Sequence, residues 1–131
     1  MLQIDQAFTN TFINSDFNLP IAFENLDFEP DFKKAYAEIK VLQNDKTGYD
    51  TDSTDETDGV FRIVLRYPIN KSSIPAKKKA DQILNFYKIG SKINYDGVDV
   101  IITSSSRSEG VPETGWYKLV LTIGYKSFLR R

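Results

Sequence analysis

Two long stretches of alternating apolar and polar residues constrain the fold of this chain more than any other feature. They are GVFRIVLRYPI at residues 59–69 and GWYKLVLTIGYKSF at residues 115–128. Such alternation is typical of a β-strand with one buried face. In the first stretch, Phe61, Ile63 and Leu65 share the apolar side. Two strands of this length predict an extended sheet that other elements cover on one face.

Two segments have the apolar spacing of an amphipathic helix. Residues 1–15 place Ile4, Phe8 and Phe12 on one stripe, and weak helix formers follow at their end. Residues 75–89 begin at a proline, which suits the first position of a helix, and Gly90 follows as a C-cap. Both helices are predicted to pack on the apolar face of the sheet.

Shorter segments complete the predicted sheet. Residues 34–43 alternate as a half-buried strand, and Asp96-Gly97 indicates a two-residue turn in a hairpin over residues 92–103. Residues 20–24 fit a short edge strand, and residues 104–113 a loop. The prediction is therefore a single α+β domain over residues 1–131, with a mostly antiparallel (mixed) sheet of about four to five strands and two α-helices packed on one face.

The segment NDKTGYDTDSTDETD at residues 44–58 has no apolar periodicity and is predicted to be a long, mobile, acidic loop. Its carboxylates are oxygen ligands of the kind that Ca²⁺ or Mg²⁺ prefers, but their spacing does not match an EF-hand loop. A solvated loop is favoured, with no metal and no cofactor. If the loop lines a channel or contacts a partner, the candidate residues are Asp50, Asp52, Asp55, Glu56 and Asp58.

Composition excludes most catalytic mechanisms. The chain has no cysteine and no histidine, so a disulfide framework, a thiolate nucleophile and a Ser-His-Asp triad are all impossible. No glycine-rich phosphate-binding motif occurs. A hydrolase that uses acidic residues and a metal is the least favoured class, and the chain is predicted not to be an enzyme. Its first residues lack the pattern of a signal peptide, and no apolar run is long enough to span a membrane.

Charge is distributed unevenly along the chain. Residues 1–43 carry a net charge of −4, residues 44–58 of −5 and residues 59–131 of +8. An evenly mixed surface is one outcome of such a sequence, and a self-complementary surface between copies is the other. The isoelectric point near 5.4 argues against a dedicated nucleic-acid binder.

The chain resembles the tail terminator, or tail completion, proteins of phages with long, non-contractile tails. The resemblance covers nearly the whole chain and depends on the order of its segments. These are an N-terminal helix, LPIAFEN, the strand GVFRIVLRYP, the helix opening PAKKKADQI, and the final strand GWYKLVLTIGYKSF. The strongly acidic residues 44–58 and the short, polar connection at residues 70–73 depart from the pattern.

The resemblance implies a structural virion protein without catalysis or cofactor. Several copies, six in the expected case, would form a ring on the end of the tail tube, stop its polymerisation and offer a docking surface to the head. The implied partners are a second copy, the major tail tube protein and a head-completion or connector protein, with DNA passing through the ring without specific binding. Assembly would occur in the host cytoplasm, and the protein would reside in the virion tail.

A ring requires two different patches of one subunit to meet. The basic candidates are Arg62, Arg66, Lys77, Lys78 and Lys79, and the acidic candidates are Glu24, Asp27, Glu29 and Asp31. Trp116 is a candidate apolar contact, as are Phe23 and Phe28. The alternative is a monomeric binding module, or another neck protein, that uses the mixed face of the sheet.

Overall fold

A computed structural model describes residues 2–15, 17, 19–22, 34–44, 47–50, 54–68, 74–95, 97–108, 110–113 and 115–130. The elements in chain order are α1 (Leu2–Ile13), β1 (Ile21–Ala22), β2 (Tyr36–Gln43), β3 (Thr47–Asp50), β4 (Thr54–Pro68), α2 (Ile74–Phe86), β5 (Lys92–Tyr95), β6 (Val98–Arg107), β7 (Val111–Glu113) and β8 (Trp116–Arg130). Neither of the helices described is long and apolar enough to cross a membrane.

One sheet organises the molecule, with β4 and β8 at its centre. The strand order is β1-β2-β4-β8-β6-β5. β4 and β8 pair antiparallel along their full length, from Thr54 opposite Arg130 to Pro68 opposite Trp116. β1 pairs with β2 in parallel, which makes the sheet mixed. β3 pairs with β4 beyond the end of β2, and β7 pairs with β8 beyond the end of β6.

The α+β class and the mixed sheet are confirmed, but the predicted number of four to five strands is wrong. Six strands lie on the main path of the sheet and two short ones flank it, within the residues described. The difference arises in two segments that were predicted to be loops. Residues 47–50 and 54–58 form β3 and the start of β4, and residues 104–107 and 111–113 form the end of β6 and β7.

These errors have one physical cause. Polar residues such as those at 54–58 and 104–107 lack the apolar alternation that predicts a strand, yet they pair with the long strand β8. Backbone hydrogen bonds to an existing strand stabilise a neighbour whatever its side chains are, so pairing overrides a weak local preference. Whether the acidic segment is mobile stays a prediction.

The core lies between the two helices and one face of the sheet, called here the inner face. Phe8 of α1 stacks on Phe61 of β4, with ring centroids 4.6 Å apart, and Tyr87 after α2 lies 5.6 Å from the same ring. The other buried members come from the helices and from every second residue of the strands. They include Ile4, Phe12, Ala37, Ile63, Leu65, Ala76, Ala80, Ile83, Val100, Ile102, Leu119, Leu121, Ile123 and Tyr125. The predicted apolar faces of both helices and of β2, β4 and β8 are therefore confirmed.

The helix ends differ slightly from prediction because the backbone, not the apolar stripe, fixes them. α1 ends at Ile13, where the Ser15 hydroxyl donates to the carbonyl of Phe12 at 2.7 Å. α2 ends at Phe86, three residues before the predicted end. Gly90 has a φ of 89° and turns the chain back toward β5, and its N–H donates to the Ile102 carbonyl.

Candidate assembly surfaces

The face of the sheet opposite the helices, called here the outer face, carries the candidate surface. Alternation puts every second residue of β2, β4 and β8 on this face, because the intervening residues fill the core. Described members of this face are Tyr36, Glu38, Lys40 and Leu42 on β2, Val60, Arg62, Val64 and Arg66 on β4, and Trp116, Lys118, Val120 and Thr122 on β8. The outer face is mixed in character, as predicted.

An ion-pair network occupies one end of this face and centres on Arg66. Its Nε donates to Glu38 Oε1 at 2.6 Å, and its Nη1 donates to Glu113 Oε1 at 3.1 Å. Lys118 Nζ donates to the other oxygen of Glu113 at 3.2 Å. The Arg66 side chain is only 15% exposed, so two carboxylates from neighbouring strands neutralise a largely buried cation. This arrangement ties β2, β4 and β7 together.

Aromatic packing supports the same end of the face. The Trp116 ring meets the Tyr36 ring edge-on, with centroids 5.1 Å apart, and Trp116 is only 5% exposed. Strand register explains this contact, because Trp116 lies opposite Pro68 and Tyr36 opposite Arg66. Trp116, a predicted apolar contact with partners, thus packs within the subunit and leaves little surface for another chain.

Contacts within the network shift the pKa values of Glu113 and Arg66. Hydrogen bonds from Arg66 and from Lys118 lower the pKa of the Glu113 carboxyl, because they stabilise its ionised form. Burial alone would lower the pKa of the Arg66 guanidinium, but its hydrogen bonds with Glu38 and Glu113 outweigh this effect and raise it. Burial raises the pKa of the Tyr36 phenol. Both shifts favour the charged forms of Arg66 and Glu113.

We expect replacement of Glu113 by glutamine to remove an acid-sensitive part of the stability. Because the folded state lowers the pKa of Glu113, its contribution is present above the unfolded value of 4.5 and is lost as pH falls through the lower folded value. The difference in free energy of unfolding between the native chain and Glu113→Gln should shrink as pH falls below about 5. Urea unfolding at several pH values measures this. Asp81→Asn, at an exposed position of α2, is the control. A difference independent of pH would contradict the assignment.

The structure divides the basic candidate residues between two surfaces. Arg62 and Arg66 lie on the outer face, whereas Lys77, Lys78 and Lys79 lie on α2, which packs against the inner face. Lys77 and Lys78 are exposed, as is Arg62. Lys79 has a role within the subunit, since its Nζ donates to the Phe17 carbonyl at 2.7 Å. The five cations therefore form no single patch.

The acidic candidate residues are only partly placed. Glu24, Asp27, Glu29, Asp31 and Asp52 lie outside the described residues. Asp50 ends β3 and Asp55 lies near the start of β4. The carboxylate of Asp58 accepts a hydrogen bond from Asn44 Nδ2 at 2.8 Å, and Glu56 Oε1 lies 3.7 Å from Lys126 Nζ. No group of three or more potential metal ligands occurs among the residues whose positions are given.

A groove of about 410 Å³ crosses the sheet at the other end of the outer face. Its centre is the cross-strand row of Leu42, Val60, Gly124 and Ser104, where the Ser104 side chain occupies the space that a side chain at Gly124 would need. The remaining lining residues are Asn44, Asp58, Gly59, Thr103, Tyr125 and Lys126. The groove is open and mixed in polarity, unlike an enclosed catalytic pocket.

Sequence reasoning missed the residues that form the ion-pair network with Arg66. Glu38, Glu113 and Lys118 are separated from it by 28, 47 and 52 residues, and only strand register brings them together. One signal was present, because Glu38 and Arg66 both occupy polar positions of segments that were predicted to be strands. Glu113 lay in a predicted loop and gave no such signal.

The charges of the Arg66 network pair within the subunit and tie its strands together. The core joins both helices to one face of the sheet. These features are those of a structural domain. The model of the phage tail terminator protein family matches residues 3–125, and the chain belongs to that family. Proteins of this family are structural components of the phage tail and act by contact with other tail or head proteins.

Comparison with solved structures supports the fold. One solved structure superposes with a TM-score of 0.72 at 19% sequence identity. The match covers 95% of this chain and 93% of that one. At this identity the likeness shows the fold alone. No curated protein matches the sequence.

Proposed function

We propose that copies of this chain assemble into a ring of six on the end of the tail tube, where the ring stops tube polymerisation and offers the head a docking surface. The observation that carries the proposal is the match to the terminator family over residues 3–125. The ring assembles in the host cytoplasm and remains in the virion tail. Its partners are the tube protein, a head-completion or connector protein, and DNA that passes through without specific binding.

The distribution of charge supports a ring. A closed ring requires head-to-tail contacts between two different patches, and the chain carries net −5 in residues 44–58 against net +8 in residues 59–131. Opposite charges favour the correct pairing of such patches and speed their encounter. Arg62, Lys77 and Lys78 are exposed cations that suit these contacts.

The acidic segment has two candidate roles in the ring. In one, it lines the channel, where Asp50, Asp52, Asp55, Glu56 and Asp58 repel DNA and let it slide. In the other, it contacts the tube. The hairpin position of β3 and β4 supports either role, because these strands extend beyond the end of β2.

Electron microscopy of the purified protein mixed with tail tubes tests the proposal. We expect rings on tube ends and an end to tube growth.

Native mass spectrometry at low and high salt measures the oligomer, and salt should weaken a ring held by exposed ion pairs. Deletion of residues 46–57 tests the acidic segment. Free tube ends in the presence of the folded native chain would overturn the proposal, and normal capping by the deletion variant would exclude both roles of the segment.

The outer-face groove favours a second candidate function. A monomeric module that binds a peptide or small ligand would use this groove of about 410 Å³. This alternative would be supported if the chain remains monomeric and does not bind tube ends. An added ligand should also shield Leu42 and Thr103 from solvent.

A further inference from the structure

One edge of β6 lacks a neighbouring strand in the described part of the chain. β8 pairs with one side of β6 as far as Arg107. On the other side, β5 reaches only to Lys92 opposite Ile101, and Ser91 and Gly90 bond to Ile102. From residue 103 to residue 107 no described residue pairs with this side. Such an edge is a template for a strand from another chain.

The direction of the backbone groups along this edge follows from its hydrogen bonds. Ile102 directs both its N–H and its carbonyl away from β8, to Ser91 and Gly90. The Ser108 N–H points the other way and donates to Val120 of β8. After the irregularity between Ile102 and Ser104, the alternation of an antiparallel strand turns Ser105 and Arg107 outward. Their N–H and carbonyl groups face the open side.

The charges beside the open edge of β6 indicate which kind of strand would pair with it. Side chains along the edge are mostly exposed, and those of residues 103–106 are neutral. Exposed cations lie at both ends: Arg107 at one, and Lys88 and Lys92 beside the turn at the other. A strand from an acidic segment would therefore complement this edge.

The chain itself contains such a strand on the opposite side of its sheet. β3 pairs with β4 on the side away from β8, and its own outer side has no partner among the described residues. β3 itself carries one carboxylate, that of Asp50, and it belongs to residues 44–58, which carry net −5. Because β4 and β8 lie between β3 and β6, the two edges of one subunit cannot meet, but those of two neighbours can.

Strand direction agrees with this pairing. β3 and β8 both run antiparallel to β4, and β6 runs antiparallel to β8. The β6 of one subunit and the β3 of a neighbour in the same orientation are therefore antiparallel, like most pairs in the sheet. A contact between two different edges is head-to-tail and closes into a ring when its rotation permits.

We propose that the open edge of β6 at residues 103–107 receives β3 of a second copy, so that the sheet continues from one subunit to the next. This inference rests on the proposed ring and names the strands that form its interface. A strand of the tube protein is the competing occupant.

Proline at residue 105 tests the edge without touching the β6–β8 ladder. Ser105→Pro removes an outward N–H, which a subunit in isolation does not use. Ser105→Ala keeps that N–H and is the matched control. We expect Ser105→Pro to melt within a few degrees of the control and to weaken each ring contact about tenfold, as measured by native mass spectrometry and sedimentation. An unfolded Ser105→Pro variant would contradict the outward direction of this N–H.

Cross-linking tests the occupant and remains informative if the proline variant misfolds. Because the chain has no cysteine, a protein with Ser106→Cys can be mixed with one carrying Thr47→Cys and treated with a short bis-maleimide. We expect a heterodimer. In the control, Asn85→Cys, at an exposed position of α2, replaces Thr47→Cys. This pair of variants should yield far less cross-linked heterodimer.

The outcomes separate this inference from the proposed function. Rings and capped tubes without the 47–106 cross-link, or with Ser105→Pro fully active, would overturn the edge pairing and leave the ring intact. Normal rings of Ser105→Pro that no longer bind tubes would assign the edge to the tube protein, and so overturn pairing with a second copy. Failure of the native chain to form rings or cap tubes would overturn the proposed function itself.

Discussion

Phe61→Ala should lower the free energy of unfolding by about 3–5 kcal/mol, the cost of emptying a large aromatic site in a packed core. Phe61 is fully buried at the centre of β4. Its ring stacks on Phe8 at 4.6 Å, lies 6.2 Å from Phe12 and meets Tyr87 edge-on at 5.6 Å. One side chain thus joins the sheet to α1 and to the segment that follows α2, and the resulting cavity has aromatic walls that cannot readily collapse.

Urea unfolding of the variant measures this loss. Ile89→Ala is the control, because Ile89 is 67% exposed and should change stability by no more than about 0.5 kcal/mol. A loss below about 1 kcal/mol for Phe61→Ala would mean that the helices are not held to the sheet through this ring. A loss in the expected range would also reduce tube capping at elevated temperature, since less of the chain would be folded.

Gly59→Ala should cost about 2–3 kcal/mol, at the upper end of what overpacking costs. A methyl group at this position would overlap the backbone carbonyl oxygen of Leu42 and lie 2.8 Å from the Tyr125 hydroxyl. Gly59 is the first residue of β4, in chain order, that pairs with β2, and it lies opposite Gln43. Since a carbonyl in a strand cannot move aside as a side chain can, the two strands must separate where β3 takes over from β2.

A double-mutant cycle identifies the obstacle. Tyr125→Phe removes the hydroxyl but leaves the Leu42 carbonyl, so it should not rescue Gly59→Ala. Gly97→Ala is the control for glycine replacement in general. Gly97 has a φ of 80°, and an added methyl there meets no other atom, so we expect a cost of about 1 kcal/mol from backbone strain alone. Full rescue by Tyr125→Phe would show that the hydroxyl, not the backbone, excludes a side chain.

Much of the fold could be predicted because its signals are local. The alternation of Phe61, Ile63 and Leu65 identified both the strand and its buried face, and the structure confirms both. The stripe of Ile4, Phe8 and Phe12 did the same for α1. These patterns depend only on the geometry of one element, which repeats every two residues in a strand and every 3.6 in a helix.

Strands without such a pattern were missed. Residues 104–107 read SSSR and were predicted to be a loop, but they pair with Leu121 to Gly124 of β8. The same holds for residues 54–58, which pair with the last residues of β8. A polar strand at the margin of a sheet exists because its neighbour supplies backbone hydrogen bonds, and that neighbour lies far away in the sequence.

By itself, the sequence determined the α+β class, the faces of its main elements, the lack of cysteine and histidine chemistry, and the uneven charge. Tertiary structure alone decided what each outward side chain contacts. It placed Arg66 between Glu38 and Glu113, buried Trp116 against Tyr36, and put Arg62 and Lys77 on different sides of the sheet. The physical reason is that register and strand order arise from pairing between distant segments, whereas periodicity describes one segment at a time.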